Sequence, residues 1–272
     1  MIDPAGGGRY VALGSSFAAG PGIPPQVDRG VLRSGRNYPS LLAEEIGLPL
    51  VDVSCSGATT AHLRHDRQPT LAGPVPPQVE AVTADTALVT VTAGGNDVGY
   101  LGMLVSAGLR GTLTARLPWL PAPVRRRLGY TVAVPPPEAF AEVRAALTAL
   151  VDDVRRRAPG ARVVLVDYLT VLGRHATPDT VPLSAAQIGE GRRVAAGLVA
   201  SFAAAATDAG ADLVVASAAS GDHGVGAPDP WVSGLAMGFP GLGGPRPFHP
   251  TAAGMAAVAA PVAKRLSADP RA

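Results

Sequence analysis

The sequence predicts a three-layer α/β/α domain built on a five-stranded parallel sheet. Short apolar, β-branched runs recur at Tyr10–Leu13, Leu50–Val53, Ala87–Ala93, Val163–Val166 and Leu213–Ala216, with helical patterns between them. The clearest of them, ALVTVTA at Ala87–Ala93, is continuous rather than alternating, as a strand covered on both faces must be. Strands alternating with helices in this way imply a parallel sheet with helices on both sides.

The elements follow in order. Tyr10–Leu13 is a strand that stops at Gly14. Asn37 caps a helix over Tyr38–Ile46, and Gly47 ends it. Leu50–Val53 runs into Ser54-Cys55-Ser56-Gly57, and Ala87–Ala93 runs into Gly94-Gly95. Pro137 opens a long helix reaching Ala158, at a first-turn position where proline is tolerated. Ser184 and Gln187 form a capping box for a helix ending near Ala209, and Thr251–Leu266 is the closing helix. Two stretches, 107–136 and 220–247, do not fit the repeat and read as long loops. Loops of that length are usually functional or disordered, and both are candidates for lid or substrate-binding segments. No internal repeat and no linker divides the chain, so residues 1–272 read as one domain.

Composition narrows the classes of function. Of 272 residues, 47% are hydrophobic and 16% charged, which is ample for one core. Lys and Arg number 23 against 21 Asp and Glu, so no basic surplus points to nucleic acid. The arginine triplets at 125–127 and 155–157 read as solvated faces. Cys55 is the single cysteine, which excludes an intrachain disulfide. No run approaches a transmembrane length, and Met1–Arg9 lacks an apolar leader core. The chain is expected to be soluble and cytoplasmic, with secretion of a processed form left open. No metal-ligand spacing, phosphate-binding loop, dinucleotide fingerprint or Gly-x-Ser-x-Gly elbow is present, and no cofactor is expected.

Four short segments carry chemistry: Gly14-Ser15-Ser16-Phe17, Cys55-Ser56-Gly57, Gly94-Gly95-Asn96-Asp97 and Phe248-His249-Pro250. The first three follow strand ends, where ligands of parallel sheets bind. Together they offer a serine, a small backbone donor, an amide side chain and a histidine. Acyl transfer through a serine needs such a nucleophile, base and set of oxyanion donors. His62, His65 and His175 read as surface residues, Cys55 as a structural thiol and Asp97 as a structural acceptor or cap.

In this order the four segments resemble the blocks of the SGNH hydrolase superfamily, the GDSL esterases and lipases, over Tyr10–Leu266. The likeness is to an actinobacterial-type member with GSSF in place of GDSx. It implies a flavodoxin-like SGNH hydrolase fold and a carboxylic ester hydrolase acting through an acyl-enzyme. Ser16 matches the nucleophile and His249 the base. The backbone N–H groups of Ser16 and Gly57 and the Asn96 side chain match the oxyanion hole. The implied substrate is a small ester or a lipophilic acyl compound, to which the apolar residues of 107–136 (Leu117, Trp119, Leu120) add weak support.

Two positions depart from the family. Ser15 stands where an aspartate usually precedes the nucleophile, and Arg246 where an aspartate three residues before the histidine usually orients it. Three arrangements stay open: a backbone carbonyl near Arg246 takes the His249 Nδ1 proton in a Ser-His dyad, Asp222 or Asp229 reaches in from the preceding loop, or the site is silent. The same residues would serve an acyltransferase or a thioesterase, and a silent site would make the chain a ligand-binding protein.

Overall fold

The computed structural model describes residues 8–117, 119, 121, 123–124, 132–235, 244 and 246–268. Five parallel strands form its centre: β1 (Arg9–Gly14), β4 (Leu50–Asp52), β5 (Thr86–Thr92), β6 (Arg162–Val166) and β7 (Asp212–Val214), in the order β4-β1-β5-β6-β7. One rung of the ladder runs Leu13–Val91–Leu165–Leu213, four apolar side chains in register across four strands. A small antiparallel pair, β2 (Gln26–Asp28) and β3 (Arg33–Ser34), lies in the excursion after β1.

Helices cover both faces. On one side α2 (Tyr38–Ile46) packs against α8 (Ala252–Ser267). On the other, α5 (Pro137–Arg157) packs against α6 (Ala185–Ala209), flanked by α3 (Thr60–Arg64) and α4 (Tyr100–Ala115). The caps act as their residue types require. Asn37 Oδ1 accepts the Ser40 N–H at 3.0 Å, Ser184 and Gln187 close a capping box, and Thr251 Oγ1 accepts the Gly254 N–H at 3.1 Å. Two further one-turn helices are α1 (Ser16–Ala19) and α7 (Ala216–Ala219).

The segment 107–136 is not a loop from its start. Its first nine residues finish α4, which carries Gly102, Gly108 and Gly111 in its interior. Glycine disfavours an isolated helix, but here the bare backbone admits close neighbours. A Cβ on Gly108 would lie 3.1 Å from the Leu235 methyls, and one on Gly111 only 2.4 Å from the Pro182 carbonyl oxygen. Leu120, the triplet 125–127, and residues 236–243 and 245 of the second loop lie outside the described residues. No described helix is long and apolar enough to cross a membrane.

In this strand order the chain leaves β1 towards opposite edges of the sheet, which opens a crevice beyond its carboxyl end. Ser16 stands at that point, between the loops that follow β4 and β5.

Candidate active site

Gly14 ends β1 where a side chain cannot fit: a Cβ would meet Ala18 Cβ at 2.6 Å and the Thr92 carbonyl oxygen at 2.9 Å. Gln78 clasps this residue at both ends, accepting its N–H at 2.7 Å and donating to its carbonyl at 3.0 Å. The Ser15 N–H then donates to Thr92 O at 2.8 Å, and α1 begins with Ser16. The two serines face different partners. Ser15 Oγ is buried 3.4 Å from the Tyr168 hydroxyl, whereas Ser16 Oγ lies 2.9 Å from His249 Nε2.

His249 is delivered by the turn before α8. Phe248, its ring fully buried, has φ of +60°, a left-handed conformation that a bulky residue rarely adopts. The turn folds the imidazole back so that Nδ1 meets the Pro247 carbonyl oxygen at 2.8 Å. The Arg246 carbonyl itself is occupied otherwise: it takes the Ser233 hydroxyl, and the His249 backbone N–H at 3.2 Å. The acceptor is therefore a backbone carbonyl one residue further along. Neither aspartate reaches in. Asp222 pairs with Arg174 at 2.9 Å, and Asp229 holds His223 through its carbonyl at 2.8 Å and its carboxylate at 3.5 Å. His223 in turn stacks on Trp231 with ring centres 3.8 Å apart.

Burial lowers the His249 pKa from 6.5 to about 4. The Arg246 guanidinium adds to the fall and the Pro247 carbonyl opposes it. The imidazole is thus neutral at pH 7, with Nδ1–H pointing at a carbonyl and Nε2 carrying a free lone pair towards the serine.

Gly57 has φ of +84°, and a Cβ there would meet only Gln68 Nε2, at 3.6 Å, so its backbone faces open space. Asn96 is exposed, and one Nδ2–H donates to the Ala58 carbonyl at 2.7 Å. A carboxamide carries a second N–H. The same two loops are laced again at Asp97, which accepts the Thr60 N–H at 3.1 Å and the Thr60 hydroxyl at 2.5 Å. Asp97 therefore acts as a structural acceptor. Burial pushes the Cys55 thiol up to about 11, so it stays protonated and unreactive. His62 completes the cap of α3, and His65 pairs with Asp66 on the surface. Among the described residues no group of three His, Cys, Asp or Glu side chains gathers as metal ligands.

Three residues of the site escaped the sequence reading. Tyr168 packs at a tilt against Phe17 with ring centres 4.9 Å apart and accepts the Gly95 N–H at 2.8 Å. It stands two residues beyond β6, so the strand-end rule that singled out Gly14, Gly57 and Gly94 also points to it. Gln78 lies in a short turn after a proline-rich stretch, and Ser233 in the long loop, where no periodicity marks either.

A hydroxyl on a neutral imidazole at the carboxyl ends of a doubly wound sheet defines the class as a serine hydrolase. The model of the GDSL-like lipase/acylhydrolase family matches residues 12–257, and the chain belongs to that family. Lipase 2 of Streptomyces coelicolor is 33% identical over 253 residues, covering 90% of this chain and 81% of its own. Two crystal structures are similar throughout: phospholipase A1 from Streptomyces albidoflavus (TM-score 0.69) and an extracellular lipase from Streptomyces rimosus (0.68). Each is 25% identical, with 95% of this chain and 99% of the other covered. The chain is accordingly a carboxylic ester hydrolase.

Proposed function

We propose that Ser16 is the nucleophile and His249 its base, in a Ser-His dyad whose imidazole is oriented by the Pro247 carbonyl. The observation that carries this reading is the chain of contacts Ser16 Oγ–His249 Nε2 (2.9 Å) and His249 Nδ1–Pro247 O (2.8 Å). Ser16 Oγ bonds to the acyl carbon as its proton passes to Nε2. The tetrahedral oxyanion is held by the N–H groups of Ser16 and Gly57 and by the free N–H of Asn96. The ester C–O bond then breaks, and the Nε2 proton goes to the leaving alcohol. A water that gives its proton to His249 attacks the acyl-enzyme, and Ser16 leaves with that proton restored.

The GSSF block fits this scheme as an actinobacterial-type variant: Ser15 leans on Tyr168 in place of an aspartate's bonds, and the relatives named above come from Streptomyces. The substrate class proposed is an ester with a lipophilic acyl group. Exposed Leu109, Leu113 and Trp119 on and after α4, and relatives named lipase and phospholipase, support it. The chain works as one domain.

Hydrolysis of p-nitrophenyl esters from acetate to palmitate, beside fluorophosphonate labelling, tests the assignment. Activity and label are expected in the native chain and lost in Ser16→Ala. An unlabelled native chain, or a Ser16→Ala variant that still turns over, would refute it.

A further inference from the structure

Alternate residues of β1 bond towards β4. The Tyr10 N–H donates to Pro49 O at 2.9 Å, and the Ala12 carbonyl accepts the Val53 N–H at 3.1 Å. The register between the two strands ends at Ala12 and Asp52. Gly14 is the next residue in this alternation, and β4 has already finished. Gly14 is buried, and an N–H left open there would cost the full desolvation of a polar group. The Gln78 side chain supplies the missing rung. A carboxamide offers the same C=O and N–H pair as a peptide group. Gln78 Oε1 accepts the Gly14 N–H at 2.7 Å, and Nε2 donates to the Gly14 carbonyl at 3.0 Å.

This rung is held from behind. Gln78 is buried, Pro76 and Pro77 stiffen the chain before it, and the one-turn 3-10 helix that it opens, Gln78–Ala81, buries Val79 in the core. By gripping the peptide groups on both sides of Gly14, Gln78 fixes the two backbone torsions through which β1 turns into Ser15 and Ser16. The Gly14 carbonyl has a second donor, the Cys55 N–H at 3.0 Å. Gly14 stands two residues before Ser16, and Cys55 two residues before Gly57. One oxygen atom therefore joins the strand that carries the nucleophile to the turn that carries an oxyanion donor.

We propose that Gln78 is a positioning residue for the acyl transfer: its carboxamide sets the spacing between Ser16 Oγ and the Gly57 N–H. The inference rests on the Ser16–His249 reading above. Gln78 acts only through Gly14. Misplacing reacting groups by about 1 Å costs on the order of 10² in rate, so the effect belongs in kcat and not in KM. Two variants separate the paired bonds from the bulk of the side chain. Gln78→Met keeps the length and removes both bonds. Gln78→Glu is a switch. Ionised, it sets a carboxylate oxygen against the Gly14 carbonyl. Protonated, it has one acceptor and one O–H donor, as the carboxamide has. Burial at this position raises the pKa of such an acid.

The test measures kcat and KM for p-nitrophenyl acetate and the rate of fluorophosphonate labelling, between about pH 8 and about pH 5.5, with the folded fraction read by circular dichroism at each pH. Gln78→Met is expected to lose roughly 10²-fold in kcat and in labelling rate per folded molecule, with KM within about twofold of native. Gln78→Glu is expected to match that loss at the alkaline end and to recover at least about tenfold at the acid end, as its carboxyl takes up a proton. The native chain is expected to stay flat over this range, because His249 titrates near 4. Native rates per folded molecule in both variants, losses that only follow the unfolded fraction, or a Gln78→Glu deficit that acid does not relieve would overturn the positioning role and leave the dyad intact. If Ser16→Ala hydrolyses the ester, the dyad reading fails and the positioning role with it.

Discussion

His249 Nδ1 lies 2.8 Å from the carbonyl oxygen of Pro247, two residues before it in its own chain. A neutral peptide oxygen therefore occupies the place of a carboxylate. It fixes the tautomer but supplies no net charge to steady an imidazolium, and the exposed Arg246 beside it opposes one. The base is consequently weak and stays neutral over a wide pH range.

The acid limb of the pH profile follows. Protonating His249 removes the lone pair that takes the serine proton, so kcat/KM falls as pH decreases through about 4, not through 6.5. Stability changes with the same sign. The unfolded chain takes up this proton at about 6.5 and the folded chain only near 4, so stability declines as pH falls across that window. Arg246→Asp replaces a repelling cation with an attracting carboxylate and should raise the limb. The check is kcat/KM against pH for both forms, with circular dichroism to separate inactivation from unfolding. A native limb near 6.5 would contradict the buried, carbonyl-bound imidazole.

Tyr168 and Ser15 make an instructive contrast. Tyr168→Phe leaves the buried Gly95 N–H without its acceptor, a loss of about 1–3 kcal/mol. Gly95 adjoins Asn96, so kcat should fall with stability. Ser15→Ala removes only a 3.4 Å contact and should leave both nearly unchanged. Denaturant titration and ester kinetics on the two variants check this. A Ser15→Ala variant without activity would mean that the wrong serine has been assigned.

Asn96 is expected to have two duties. One N–H pins the loop after β4 through Ala58, and the other is free for the oxyanion. Asn96→Ala should lower kcat by about 10²–10³, the usual scale for losing one oxyanion donor. Asn96→Asp keeps the shape but sets a negative charge beside the developing one, and should fall further. If Asn96→Asp is the more active of the two in steady-state kinetics, Asn96 is not a donor to the oxyanion.

The sheet was legible in the sequence because its strands are buried on both faces, and a run such as Thr86–Thr92 admits almost no polar residue other than threonine. The order of the four segments singled out Ser16, Gly57, Asn96 and His249, of which the structure joins Ser16 and His249 directly. What was not legible depends on long-range packing. The glycines of α4 look like loop residues until Leu235 and Pro182 are brought against them. Gln78 reaches Gly14 from 64 positions away. The acceptor for His249 could not be fixed to one residue because it depends on a left-handed phenylalanine, which residue type argues against.

That phenylalanine gives the sharpest test of backbone strain. Removing its buried ring is costly, and Phe248→Ala should destabilise by about 3–5 kcal/mol. Glycine would ordinarily be worse than alanine by about 0.5–1 kcal/mol, through its greater chain entropy. At φ of +60° an L-residue carries a steric cost of about 1–2 kcal/mol that glycine escapes. The order should therefore invert or vanish, with Phe248→Gly at least as stable as Phe248→Ala. Both should lose activity, because the turn no longer holds the imidazole over the Pro247 carbonyl. Equilibrium urea unfolding of the two variants decides the matter. If alanine proves clearly the more stable, the left-handed turn is not what aims His249 at Ser16.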